Sequence, residues 1–270
     1  MKLAGKYLVL TGATGGIGAA MACRLAQCGV KLVLQGRDEQ RLQALLGEIG
    51  GSVKGHSHVV GDLTEAATRA ALIAHCRKLP IDGLINNAGS SVFAPLEALT
   101  DVELQKMLTL NLLTPMQVTR DLLPLLRARP QAAIVNVGST FGNIGYAGFS
   151  GYSASKFGLR GFTEALRREL ADSSISVHYL APRATHTTLN APAVDALNAA
   201  LGNAVDAPEI VADGLVALLE SGDRARYLGW PERLFVTLNQ LAPGVIDGAL
   251  RKQLGTIRTF FKPNSKPETT

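Results

Sequence analysis

Tyr152 and Lys156 stand four residues apart in a stretch with helical spacing, so they share one helix face. A free phenol has a pKa of about 10. A nearby ammonium favours the phenolate and lowers that value, which makes the phenol usable as an acid or base near neutral pH. A plain surface pair is the other reading of the same spacing. Ser139 ends the segment Val135-Asn136-Val137-Gly138-Ser139, just past an apolar run that reads as a strand. A hydroxyl at that edge can hydrogen-bond a substrate oxygen and steady charge developing there. No GxSxG surrounds Ser139 and no His–acid partner is apparent, which argues against a hydrolytic nucleophile. Asn111 interrupts the apolar stretch Leu108-Thr109-Leu110-Asn111-Leu112-Leu113. Asparagine is a poor interior helix residue and needs a partner if buried, so satisfied core polarity is the bland explanation.

A second chemical feature lies near the N-terminus, in Thr11-Gly12-Ala13-Thr14-Gly15-Gly16-Ile17-Gly18. It falls between an apolar strand and an amphipathic helix. Glycines there let the backbone approach a pyrophosphate, and the helix N-terminus offers unpaired amides and partial positive charge. The spacing Gly-x3-Gly-x-Gly differs from the common dinucleotide fingerprint, but the strand-turn-helix context is the required one.

These residues need a scaffold, and the pattern supplies strands alternating with helices. Strands are expected over residues 7–11, 31–35, 57–60, 84–86, 133–137, 176–180 and 226–228. Helices are expected over 17–27, 38–49, from 64, 101–127, 152–171 and 208–221. Alternation of this kind predicts an α/β fold: a doubly wound parallel sheet with crossover helices on both faces and its ligand at the carboxyl ends of the strands. Residues 183–206 look irregular and read either as a lid or as a plain surface connection.

The chain has 270 residues, 47% of them hydrophobic, enough for a substantial core. Net charge is +5, but the basic residues are scattered, so no nucleic-acid partner is expected. Cys23, Cys28 and Cys76 form no CxxC pair, and the five histidines form no HExxH arrangement, so no metal is expected. No apolar run approaches the roughly 20 residues that span a membrane. No signal-peptide pattern precedes the first strand, and a cytoplasmic location is expected.

Taken together, Thr11-Gly12-x3-Gly16-x-Gly18, Asp62-Leu63, Asn86-Asn87-Ala88-Gly89, Asn111, Ser139 and Tyr152-x3-Lys156 resemble the short-chain dehydrogenase/reductase family from Lys6 to about Leu228. The resemblance implies a Rossmann domain over residues 1–229 and a catalytic tetrad of Asn111, Ser139, Tyr152 and Lys156. Tyr152 would exchange the proton with the substrate oxygen, and Ser139 would orient and polarise that oxygen. Lys156 would lower the tyrosine pKa and hold the nicotinamide ribose. Asn111 would hold a water that extends the proton relay. Cofactor contacts would come from Gly12, Thr14, Gly16, Ile17 and Gly18 in the loop. Further contacts would come from Asp62, Leu63, Asn87, Ala88 and Gly89, from Tyr152 and Lys156, and from Thr185 and Thr187. Phe93, Phe141, Ile144, Tyr146, Phe149 and Leu189 fall where the family builds its pocket, which suggests a hydrophobic or acyl substrate. The implied function is interconversion of a carbonyl and an alcohol. The competing function is a nucleotide-binding regulator of the same fold without turnover. The family commonly pairs long central helices, so a homo-oligomer is expected.

Three particulars qualify this. In Leu34-Gln35-Gly36-Arg37-Asp38 the family's acidic position falls on Gly36 and Arg37 follows it, which favours NADP as cofactor. Asp38 reads as a helix cap, with ribose binding as the alternative. Where the family often has Pro-Gly, this chain has Pro182-Arg183; Arg183 would receive an acidic substrate group or simply be solvated. Residues 230–262 carry an apolar stripe broken near Pro243-Gly244, predicting an amphipathic helical extension. That stripe would pack on the core or a subunit, or lie peripherally on an anionic membrane. Residues 263–270 are polar and expected to be disordered.

Overall fold

The computed structural model describes residues 1–187 and 191–261. Seven parallel strands form one sheet in the order β3-β2-β1-β4-β5-β6-β7. They are β1 (Tyr7–Leu10), β2 (Lys31–Gly36), β3 (Ser57–Val60), β4 (Ile81–Asn86), β5 (Ala132–Val137), β6 (Ile175–Ala181) and β7 (Ala225–Tyr227). The chain winds outward from β1 in one direction, then returns to β4 and winds in the other. This reversal opens a crevice between β1 and β4 at their carboxyl ends. Alternate strand residues serve opposite faces. Leu8, Leu10, Leu32 and Leu34 pack against α1 (Gly16–Gln27), α2 (Glu39–Glu48) and α8 (Pro208–Ser221). Val9, Val33, Leu84 and Ile134 face α3 (Ala66–Cys76), α5 (Thr114–Arg127) and α6 (Ser150–Glu169).

Three expectations need correction. Strand β4 begins at Ile81, ahead of the expected start at residue 84, because a buried charge masks the apolar run. Asp82 is 2% exposed and pairs with Lys6 at 3.5 Å and Arg129 at 3.0 Å, while accepting from the Tyr7 amide. The expected single helix over 101–127 is two, α4 (Asp101–Leu108) and α5, joined by a π-helical turn at Thr109–Leu113. A Thr100–Glu103 capping box starts α4. The 183–206 segment is not wholly irregular. It contains α7 (Pro192–Leu201), opened by a proline at its first position and ended by Gly202 at φ +64°.

The C-terminal stripe forms α9 (Glu232–Leu241) and α10 (Pro243–Thr259), broken at Pro243 as its pattern predicts. Val236 and Ile246 bury against Ile144, with Tyr227, Leu238 and Leu250 around them. Leu234, Phe235, Leu241 and Val245 remain exposed. Among the described residues no helix is long and apolar enough to cross a membrane. The expectations for Leu189 and for the tail from residue 263 lie outside the described residues.

Candidate active site

The glycine loop leaves β1 and enters α1. Gly12 has φ +63°, and a Cβ there would stand 2.7 Å from the Ala88 Cα. A Cβ on Gly18 would strike the Gly12 carbonyl. The loop is pinned from β4: the Asn87 side-chain amide donates to the Thr11 and Gly12 carbonyls, each at 3.1 Å. The Thr11 hydroxyl accepts from the amides of Asn87 and Ala88. No side chain caps α1, and its first turn holds no acidic residue. By contrast Asp38 caps α2, accepting from the Arg41 amide at 3.0 Å. The bare N-terminus of α1 is what an anionic phosphate requires. The residues present therefore fit a dinucleotide.

Among the residues expected to meet the cofactor, Arg37 is exposed at the close of β2. The position before it has little room for a side chain, since a Cβ on Gly36 would lie 3.2 Å from Thr14 Oγ1. Asp62 Oδ1 accepts from the Thr64 amide and hydroxyl. Burial opposes ionisation of Asp62, but the Thr64 hydrogen bonds and the Arg37 charge outweigh it and hold the carboxyl below its usual range. Leu63 is buried beside it. On the other side, Thr187 Cγ2 lies 3.3 Å from where a Gly16 Cβ would be, so the segment after β6 rests on the glycine loop.

Four candidate catalytic residues converge beyond β4 and β5. Asn111 occupies the π turn and is fully buried. Its Oδ1 accepts from the Ser90 amide at 2.8 Å; its Nδ2 donates to the Ser90 carbonyl at 2.8 Å and to Ser155 Oγ at 3.0 Å. Wide turns of this kind concentrate at functional sites. Gly89 sits between two of the four: a Cβ there would lie 3.2 Å from Asn111 Oδ1 and 3.7 Å from Lys156 Nζ. Lys156, 5% exposed, donates to the Val137 carbonyl at 2.9 Å. Its ammonium lies 5.7 Å from the Tyr152 ring centroid. Ser139, whose Oγ accepts from the Phe141 amide at 3.1 Å, lies close enough to the Tyr152 phenol to favour its ionised form.

The electrostatics differ from the sequence expectation. Burial pushes the Tyr152 phenol above its ordinary value, and nearby Ser139 opposes this only in part. Burial lowers Lys156 to about 8. The ammonium is turned toward a backbone carbonyl and over the ring, so desolvation outweighs its pull on the phenolate.

The structure also gives a part to residues to which sequence reasoning assigned none. Ser90 and Ser155 hold Asn111. Tyr179 of β6 is buried beneath Gly138 and Ser139 and exchanges bonds with the Ser139 backbone at 3.4 Å. Asn86 and Asn136 join β4 to β5 at 2.8 Å and extend to Thr119 and Thr163. A polar residue inside each apolar strand was the available signal. Four of the expected pocket residues, Phe93, Phe141, Tyr146 and Phe149, assemble, while Ile144 packs on the C-terminal helices. Phe141 stacks on Tyr146 at 4.9 Å, Phe149 lies 6.2 Å from Tyr152, and Phe93 bridges Phe149 at 5.0 Å to Phe261 at 5.3 Å. Phe261, beyond α10, had not been expected there.

Residues 6–198 match the family described as short chain dehydrogenase. The chain belongs to the short-chain dehydrogenase/reductase family of oxidoreductases. Dehydrogenase/reductase SDR family member 7B of Mus musculus is 37% identical over 196 residues, covering 70% of this chain and 60% of that protein. The chain thus spans less than two thirds of that relative's length. The Escherichia coli (strain K12) 3-oxoacyl-(acyl-carrier-protein) reductase FabG is 30% identical over 184 residues, covering 67% of this chain and 74% of that one. The crystal structure of 3-ketoacyl-(acyl-carrier-protein) reductase from Brucella melitensis complexed with NADH is 29% identical, with TM-score 0.73 over 80% of this chain and 91% of that one.

Proposed function

We propose that this protein is an NADP-dependent reductase of hydrophobic or acyl carbonyl compounds. The observation that carries the reading is the convergence of the half-buried Tyr152 phenol, Ser139 and the Lys156 ammonium, 5.7 Å from the Tyr152 ring centroid, beyond the end of β5. A phenol held above its ordinary pKa keeps its proton at neutral pH, the state needed to donate to a carbonyl oxygen. Ser139 polarises that oxygen through its hydroxyl. Lys156 is largely cationic at pH 7 and favours the phenolate left after donation. Asn111 anchors the Gly89–Ser90 segment and, with Ser155, the start of α6. When bound, the reduced nicotinamide supplies the hydride. Gly12, Gly16 and Gly18 would admit its pyrophosphate, and Thr185 and Thr187 would hold its nicotinamide end.

The preference for NADP rests on Arg37. Asp38 is already engaged as a helix cap, and Gly36 offers no carboxylate, which leaves the guanidinium to meet a 2′-phosphate. The aromatic series from Tyr152 to Phe261 and the ketoacyl reductases among the relatives support an acyl or otherwise apolar substrate. Leu108, Leu113, Met116 and Phe157 are exposed along α4 to α6, which supports an oligomer paired through these helices. Exposed Leu241 and Val245 keep a peripheral lipid contact as a second reading of the C-terminal pair.

The test is oxidation of NADPH, followed by its absorbance, against a panel of apolar ketones and β-ketoacyl thioesters. Turnover that disappears in Tyr152→Phe, with NADPH affinity within about twofold of the parent, is the expected result. Cofactor binding with no turnover on any carbonyl would instead favour the silent regulator.

A further inference from the structure

The residue that breaks the family pattern after β6 is neither solvated nor free for a substrate. The Arg183 side chain is 16% exposed and faces two carboxylates. It grips Asp206 in bidentate fashion, Nε to Oδ2 at 3.0 Å and Nη2 to Oδ1 at 2.7 Å. Its remaining nitrogen reaches Glu232 Oε2 at 3.1 Å and the Trp230 carbonyl at 3.4 Å. Gly229 makes room for this: a Cβ there would collide with the arginine side chain.

Asp206 ends the segment that begins at Ala184, and the two ends are zipped together. The His186 amide donates to the Asp206 carbonyl, and the Asp206 amide to the Ala184 carbonyl, both at 2.9 Å. Glu232 is the first residue of α9. One guanidinium therefore fixes both the neck of the segment carrying Thr185 and Thr187 and the root of the C-terminal pair. The far ends of the same two parts also meet. Tyr146 donates to Gln253 of α10 at 3.0 Å, and α10 packs against α7. Tyr146 is the ring stacked on Phe141, which stands edge-on to Tyr152.

We propose that Arg183 is a positioning residue for substrate recognition, seating the post-β6 segment and the C-terminal helical pair in one register, so that the pair forms a working wall of the pocket. It touches no reacting atom. Its effect on substrate passes through Asp206 and Glu232. The substrate arm of the proposal rests on the carbonyl-reductase reading; the coupling arm does not.

Two measurements test it on the full chain. In the first, Glu232→Gln and Arg183→Lys are assayed with NADPH and the best ketone of the panel. The expected result is a KM raised about fivefold or more with kcat and NADPH affinity within about twofold. Arg183→Gly should raise KM further, and adding Glu232→Gln to it should change nothing more, since the two share one contact. In the second, the emission of Trp230, the single tryptophan, is followed on adding NADP in its oxidised form. Binding against Gly16 and Thr187 should shift that emission in the parent and not in Arg183→Lys or Glu232→Gln. Unchanged KM in both conservative variants, or additive effects in the double variant, overturns the substrate role. An emission change that survives both variants overturns the coupling. If the parent turns over no carbonyl, the functional reading has failed, and the emission experiment still decides the coupling.

Discussion

Replacing Lys156 with methionine should make the protein more stable at neutral pH while destroying its activity. Lys156 is buried, with one hydrogen bond to the Val137 carbonyl, and burial displaces its pKa from 10.5 to about 8. At about 1.4 kcal/mol per pH unit, that displacement corresponds to about 3 kcal/mol. The unfolded chain holds this proton more tightly than the fold does. Between pH 8 and 10.5 the unfolded state therefore binds more protons, and native stability rises with pH. Below the folded pKa the full unfavourable contribution is present. Methionine has similar length and no charge, so it removes that contribution, but it strands the Val137 carbonyl at a cost of about 1–2 kcal/mol. The net expectation is a gain of about 1–2 kcal/mol at pH 7 that falls away and reverses by pH 10.5. Urea melts of parent and variant at pH 7 and pH 10 measure the difference. Cys76, raised to about 12 by burial, titrates in both proteins and cancels from that difference. A variant destabilised equally at both pH values would refute the reasoning, because it would show that desolvation of the ammonium does not govern this position.

Other expected outcomes are more direct. Arg37→Ala should weaken NADPH at least tenfold more than NADH in titrations of both; equal losses would remove the basis for NADP preference. Gly138→Ala places a methyl inside the Tyr179 ring. It should lower stability by about 3 kcal/mol, seen in denaturant melts, with partial recovery in combination with Tyr179→Leu. Flotation with anionic liposomes at low salt should carry the full chain but not a chain ending at Gly229 whose folding has been verified. If the full chain stays unbound, the exposed apolar face of α9 belongs to a protein contact.

The legible parts of the site were local in sequence. The glycine loop could be read because strand, turn and helix follow one another directly, and Tyr152 and Lys156 because helical spacing puts them together. Asp38 declared its capping role by preceding a periodic stretch. What stayed hidden depended on distant partners. Arg183 meets Asp206 at a separation of 23 residues and Glu232 at 49, and nothing near Arg183 announces either. Asp82 disguised the start of β4 because its two cations, Lys6 just before β1 and Arg129 shortly before β5, are far from it in sequence and meet it only where those strands flank β4. The π turn around Asn111 fits an uninterrupted helical pattern. Helix α7 escaped notice because it is short and four of its ten residues are alanine, which blurs any apolar stripe. The phenol's raised pKa was missed because spacing shows which groups are neighbours, not which way an ammonium points.

Tyr179 also limits the order in which this protein can change. A side chain at Gly138 or at Gly142 would run into the same phenol. Neither position can grow until residue 179 has first become smaller. A lineage that keeps the tyrosine is therefore committed to glycine at both places, whatever it reduces. New substrate preferences would have to arise where the lining is free to vary independently. Those places are the loop carrying Tyr146 and the C-terminal pair behind it, while the strand end beneath Ser139 stays as it is.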